Sequence, residues 1–429
     1  MIGESLSTGK VLYKDLVSPI APLAAWMYML ISSIGGRSIL LLQILSILLV
    51  TYQFSLFNNI MLRNKAYNEN SYIPALIYAL IMLVFYDFFT LSPALISLTF
   101  ILLVLDNIYL RIENKLKDST ILKTGFFMGI AVLFYLPSVV FLIATILSFA
   151  LLTSLVIRRY LLFLYGFLFP FMLVFIYFYW QGGLDELLSQ WIKFNLFSSI
   201  QPVINLQSIL IIAAIPSIVF LFALYKTFSA TRFTNYQLRV QQVMFIMFLA
   251  AFGGWWISEQ QAPFELLLFV PSFAFFTIHL ILQFKRKVRA EIFTITFSIL
   301  LISTNYALFF ENTSLHESGD FNKLKAQNSI YARATLDKDA MIIGGKTSLY
   351  MNAKSISTRF YHPELSEKIL SDMNEKERMI TLYNDIKSNQ PEIIIDQSGY
   401  FVSIQNRLNI DSNNYTQISN NLFVRVNQN

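Results

Sequence analysis

The sequence predicts a mainly α-helical protein: a polytopic transmembrane bundle of about ten spans, followed by a small C-terminal α/β domain outside the membrane. Three observations carry this reading. Ten apolar runs lie between residues 38 and 310, Lys and Arg fall in every second gap between them, and from Glu311 the composition turns polar and charged. A helix needs about 20 apolar residues to cross about 30 Å of hydrocarbon, and Lys and Arg stay on the cytoplasmic side. Composition agrees. The 429 residues are 55% hydrophobic, 16% aromatic and 14% charged, with a mean hydropathy of +0.56, whereas a soluble domain carries about 25% charged residues. Most of the net charge of +6 sits in the basic gaps. It therefore reads as topology, and no nucleic-acid partner is expected. With no Cys, the chain has no disulfide, thiol nucleophile or Cys-ligated metal.

Residues 1–37 begin with a mixed polar stretch, so they are not a signal peptide. Leu23 to Ile34 is apolar but too short to span, is preceded by Pro19 and Pro22, and closes at Gly35-Gly36-Arg37. A helix lying at the membrane surface is expected. The ten spans are placed at 38–57, 73–90, 93–110, 122–136, 137–157, 160–180, 206–225, 242–257, 263–284 and 291–310. The fourth and fifth form one apolar stretch broken at Tyr135-Leu136-Pro137, either a tight turn between short helices or a kink. The basic gaps hold Arg63 and Lys65; Arg111, Lys115 and Lys117; Arg158 and Arg159; Lys226, Arg232 and Arg239; and Lys285, Arg286, Lys287 and Arg289. With these gaps cytoplasmic, residues 1–37 and 311–429 both face outward, into a periplasm or lumen. An outward N-terminus with no preceding span leads to the expectation of a hydrophobic helix upstream. Within 181–205, Leu184, Leu187, Leu188, Trp191, Ile192 and Phe194 recur at helical spacing and predict a second interfacial helix. In the tail, 341–343, 392–395 and 422–426 read as strands. Residues 364–389 read as one helix with Leu365, Ile369, Met373, Ile380, Tyr383 and Ile386 inward. The organisation is thus an N-terminal loop (1–37), a transmembrane domain (38–310) and an outward α/β domain (311–429).

Gly344-Gly345-Lys346-Thr347 resembles the end of a phosphate-binding loop, but Ala340 stands where that pattern needs Gly, so a turn after a strand is the better reading. His279, His316 and His362 are too scattered to predict a metal cluster. Charged groups near the membrane carry more information, because burying one costs about 2.5–3.5 kcal/mol or more. Asp106 lies near a cytoplasmic end. Asp87, Glu259 and Glu265 lie toward the outward face, as do Glu4, Lys14, Asp15 and Lys193. Each acid can also snorkel to its interface. Acidic and basic groups on one face also suit a phosphate-linked lipid substrate, and Lys14, Asp87, Lys193, Glu259 and Glu265 are the candidate substrate-binding residues.

Gly9-Lys10-Val11-Leu12-Tyr13-Lys14-Asp15, then Ala21-Pro22-Leu23 with Trp26, then Gly36-Arg37-Ser38, resembles the first outward loop of the GT-C-type glycosyltransferases. These are the polyprenol-phosphate-sugar-dependent membrane enzymes. Leu91-Ser92-Pro93, the Gly125–Pro137 segment and the Trp191–Asn195 segment keep that superfamily's order. The chain is also similar to a group of Bacteroidota membrane proteins with this layout. The resemblance implies a GT-C-like bundle that moves a sugar from a polyprenyl-phosphate donor to an acceptor on the periplasmic face. It implies an acidic residue that deprotonates the acceptor hydroxyl, with Asp15 first and Glu4 second as catalytic candidates. It implies a cation, Lys14 or Lys193, on the leaving phosphate. A divalent metal assists some members of the superfamily and not others, and the sequence assigns no metal ligand and no certain cofactor.

The chain departs from the pattern at two places. The paired Pro is Ala21-Pro22 here, and the late outward loop reads Ser258-Glu259-Gln260-Gln261-Ala262-Pro263-Phe264-Glu265 where an Arg and a His-Tyr pair are frequent. A second reading therefore stands: a non-catalytic GT-C-fold protein acting as scaffold or partner of envelope proteins. A transporter ranks third, since transporters place polar groups deep in the bundle and the runs here are almost wholly apolar or aromatic.

Overall fold

The computed structural model describes residues 1–67, 71–112, 117–152, 156–229, 233–324, 330–345, 347–408 and 415–426. Lys115 and Arg232 of the basic gaps and Lys346 of the Gly-Gly-Lys-Thr turn lie outside the described residues. The chain forms two compact units. The first comprises Met1–Ser38, Phe175–Ser198 and Lys325–Asn429; the second comprises Ile39–Val174 and Ser199–Leu324.

In the second unit each of the ten predicted runs falls on a helix. Among the described residues, seven helices are long and apolar enough to cross a membrane: Ile39–Arg63, Pro93–Ile112, Ile157–Trp180, Leu206–Phe228, Asn235–Ile257, Pro263–Leu282 and Lys287–Phe309. Three runs form shorter helices: Ile73–Met82, Asp118–Phe134 and Val139–Leu152. The Tyr135-Pro137 break resolves into two helices joined by one 3₁₀ turn, Leu136–Ser138. Proline cannot donate to the preceding turn, and the freed groups are taken locally. Asn235–Ile257 starts on a capping box, in which Thr234 and Gln237 exchange side chain and backbone bonds at 3.2 Å each.

Close helix contact in this unit is built on glycine. Gly125 and Gly129, four apart on Asp118–Phe134, face Gly166 and Pro170 of Ile157–Trp180. A Cβ on Gly125 would stand 2.0 Å from the Phe163 carbonyl oxygen, and one on Gly166 2.3 Å from that of Leu122. Small residues at this spacing let two apolar helices meet backbone to backbone. Some polar groups deep in the bundle pair with one another. Gln53 donates to Leu95 O at 2.7 Å and to the Thr99 hydroxyl at 2.8 Å. Asp106 is paired with Arg63 and accepts from Asn64 at 3.0 Å, so it is an ion-pair partner at the helix end.

The first unit contains the predicted surface helix, Pro22–Gly35, preceded by a short helix, Ile2–Ser7. The predicted second interfacial helix appears as a helical run from Leu184 to Phe197 with a π turn at Leu188–Lys193. Leu187 and Trp191 are fully buried. The α/β part is a five-stranded sheet: β1 Asp339–Ile343, β2 Ser355–Ile356, β3 Ile393–Asp396, β4 Tyr415–Ser419 and β5 Leu422–Arg425, in the order β2-β1-β3-β5-β4. β1 pairs in parallel with β2 and β3, and β5 pairs antiparallel with β3 and β4.

Two expectations need correction here. The single helix over 364–389 is two, Pro363–Asp372 and Glu375–Asn389. Asn374 breaks it by accepting the Glu377 N–H at 2.9 Å as a new N-cap. The break resets the helical phase, so Leu382 is buried and Ile380, expected inward, is 48% exposed. Strands β2 and β4 were not predicted; β2 has two residues, and β4 is largely exposed, so neither has an apolar run to read.

Candidate functional site

The predicted site residues fall into two groups, one in each unit. In the first unit the loop after Ile2–Ser7 makes a tight turn. Asp15 N–H donates to Val11 O at 2.8 Å, and the Asp15 carboxylate accepts the Val11 N–H at 2.8 Å. Leu12 and Leu16 bridge, and Tyr13 takes a left-handed φ of 68°. That conformation is costly for a bulky residue. It is held because the Tyr13 ring is buried, 5.1 Å from Phe178, with its hydroxyl donating to Ile20 O at 2.7 Å. The turn leaves Lys14 and Asp15 side by side and exposed. Lys14 Nζ donates to Gln181 O at 3.1 Å.

Sequence reading passed over the residue that holds this turn. Gln190 is 4% exposed, and its amide is used in both senses. Nε2 donates to Tyr13 O at 2.8 Å, and Oε1 accepts the Ser18 N–H at 3.2 Å. Gln190 lies on the π turn, a local widening that often marks functional positions. Asn195, one helical turn on, donates to Pro19 O at 2.8 Å. A signal was available: two amide residues inside an otherwise apolar helical face. Lys193 is exposed on the same π turn. Glu4 is engaged elsewhere. It forms an ion pair with Arg37 Nε at 2.7 Å, and the Arg37 guanidinium also donates to the carbonyls of Ala353 and Lys354.

In the second unit Asp87, Glu259 and Glu265 gather around the turn 258–269. Asp87 sits on a 3₁₀ turn, Tyr86–Phe89, is partly buried, and accepts from the Thr90 hydroxyl at 3.3 Å and from the Phe264 backbone N–H. Glu265 is 2% exposed and accepts from the Ser258 hydroxyl at 2.5 Å, with Tyr135 beside it. Glu259 is buried, and its backbone carbonyl takes the Gln201 N–H at 2.8 Å. Proline at 263 starts the helix that carries Glu265.

An apolar cavity of about 420 Å³ opens in the same unit. Its wall includes Ile209, Ala213, Phe220, Trp255, Phe88 and Leu266. The last two, Phe88 and Leu266, are the chain neighbours of Asp87 and Glu265.

Two solved structures match the whole length of the chain. Over 99% of this chain and 91% of the other, it is similar to ArnT from Cupriavidus metallidurans bound to undecaprenyl phosphate, with a TM-score of 0.54 and 12% identity. The apo state of the same protein matches over the same shares, with a TM-score of 0.52 and 10% identity. The chain has the GT-C fold. At this identity the likeness establishes architecture alone. No family model and no curated protein matches the sequence.

Proposed function

We propose that this chain is a GT-C-like membrane glycosyltransferase of the bacterial inner membrane, moving a sugar from a polyprenyl-phosphate donor to an acceptor on the periplasmic face. The observation that carries the proposal is the apolar groove, whose wall includes the chain neighbours of Asp87 and Glu265, within a GT-C-like fold. At about 420 Å³ it lies within the usual range of small-molecule sites, roughly 300–1,000 Å³. Its lining suits an isoprenoid chain, and the undecaprenyl phosphate bound by ArnT is a lipid of that kind.

In this reading Asp15 takes the proton of the acceptor hydroxyl as that oxygen attacks the sugar's anomeric carbon. The anomeric carbon–phosphate oxygen bond breaks, and the polyprenyl phosphate leaves with the bonding pair. Lys14 or Lys193 stabilises its charge. No step is assigned to a metal.

The test is turnover of polyprenyl-phosphate sugars, with envelope lipids as acceptors, by wild type and Asp15→Asn. The proposal expects a loss of about 10²–10⁴-fold in the variant. Equal turnover in both would remove Asp15 from the chemistry.

A specific observation favours a second reading, a non-catalytic scaffold for envelope assembly. Glu4, one of the two candidate acids, is tied to Arg37. Folded wild-type protein that binds no lipid phosphate would select it.

A further inference from the structure

We propose that the C-terminal α/β domain is the mount of the Lys14–Asp15 turn, and that Lys10 is the positioning residue that fixes the turn to it. The proposal rests on the reading of that turn as part of the functional site.

The turn is pinned on both sides to one segment of the domain, Ile356–His362. Before the turn, Lys10 Nζ donates to Ile356 O, at the end of β2, at 2.8 Å. After it, Val17 N–H donates to Arg359 O at 2.7 Å, and His362 N–H donates to Val17 O at 3.1 Å. The second pair is a short backbone ladder and carries no sequence signal. The receiving segment is itself held from the helix Glu375–Asn389, where the Asp385 carboxylate accepts the Arg359 N–H at 3.2 Å. Apolar contact supports the same junction: Val17, Phe194 and Leu365 form a buried cluster, with Ile369 packed on it.

Lys10 is suited to the role because its ammonium is half-buried and meets opposite charge. Burial holds it below the ordinary lysine range, and Asp385, Asp15 and Asp339 pull the other way. Asp385 belongs to the domain and Asp15 to the turn, so the cation stands between the two things it connects. A partly buried cation with a carbonyl partner and acids on two elements loses several interactions when truncated. The backbone ladder at Val17 would remain, so the expected effect is a loosened turn and an intact sheet.

Hydrogen exchange of the full-length protein in nanodiscs tests this without substrate. The amides of Val11, Tyr13, Asp15 and Val17 are all hydrogen-bonded and serve as reporters. In Lys10→Met, exchange over residues 11–17 is expected to rise at least tenfold, with β1 and β3 still protected. Asp385→Asn should give a smaller rise in the same peptides. Lys10→Arg, which keeps charge and donor, should return exchange to near the wild-type level. Unchanged exchange over 11–17 in both Lys10→Met and Asp385→Asn overturns the proposal. So does loss of protection throughout β1 and β3 in both, which would make Lys10 a general folding residue. Because the readout needs no donor, absence of glycosyl transfer would defeat the functional reading and leave this result standing.

Discussion

His362 shows how much one side chain of the first unit combines. Its Nδ1 accepts the Leu365 N–H at 3.3 Å as the N-cap of Pro363–Asp372, and its ring meets Phe194 edge-on at 5.9 Å. Burial lowers its pKa from 6.5 to about 4. The acceptor role requires the neutral ring, and a proton there would also oppose the positive end of the helix. The folded pKa lies below the unfolded one. The stability His362 contributes is therefore complete above about pH 6.5 and is lost as the pH falls toward about 4. The swing is at most roughly 3 kcal/mol and is reduced by the ring's partial exposure. Asp385 and Asp396, which burial pushes upward, titrate in the opposite sense. Protection over residues 363–372, corrected for the intrinsic pH dependence of exchange, should thus fall between pH 6.5 and 4 in wild type and change less in His362→Asn, which keeps an acceptor but does not titrate. Equal pH dependence in the two would exclude His362 as the source. Asp15 and Lys14 could be singled out from sequence because they sit in a short motif. Gln190 offered only the weaker signal of an amide within an apolar helical face, and its partners were not readable, because Tyr13 and Ser18 are remote in sequence.

At the level of elements, the spans were readable because an apolar run of about 20 residues needs no partner to be recognised. Three of the ten runs form shorter helices, Ile73–Met82 with 10 residues, Asp118–Phe134 with 17 and Val139–Leu152 with 14. The Gly125–Gly129 spacing was equally present in the sequence, yet its meaning depends on which helix it faces. The structure supplies that partner, Ile157–Trp180, and with it a prediction. Gly125→Ala places a methyl 2.0 Å from a backbone oxygen, which no rotamer can relieve. Alanine's better helix propensity gains only about 1 kcal/mol, while overpacking costs typically 1–3 kcal/mol or more. The variant should lower the unfolding temperature of the purified protein. Gly253→Ala, which meets only a Val140 side-chain methyl at 3.0 Å, should lower it less. A larger loss at Gly253 would contradict the backbone-contact account. In the tail, Ile380 was placed on the wrong face because Asn374 restarts the helix, a local cap that outweighs the apolar periodicity.

Across the whole molecule, the first unit draws on three stretches far apart in the chain, 1–38, 175–198 and 325–429. A reading in chain order divides the protein along its length and has no means of seeing the pairing of Val17 with Arg359 and His362, because backbone ladders of this kind leave no compositional trace. Fold class was legible because hydropathy and charge alternation are properties of long segments. The groove was not, because its wall is assembled from residues as distant as Phe88, Ala213 and Trp255. That groove carries the central claim, and it can be tested by binding alone. Purified protein in nanodiscs would be titrated with a polyprenyl phosphate, comparing wild type with Ala213→Trp, which places a large side chain in the cavity. Saturable binding by wild type, weakened at least tenfold in Ala213→Trp, is the predicted result. Equal binding by the two, or none by folded wild type, would contradict the account.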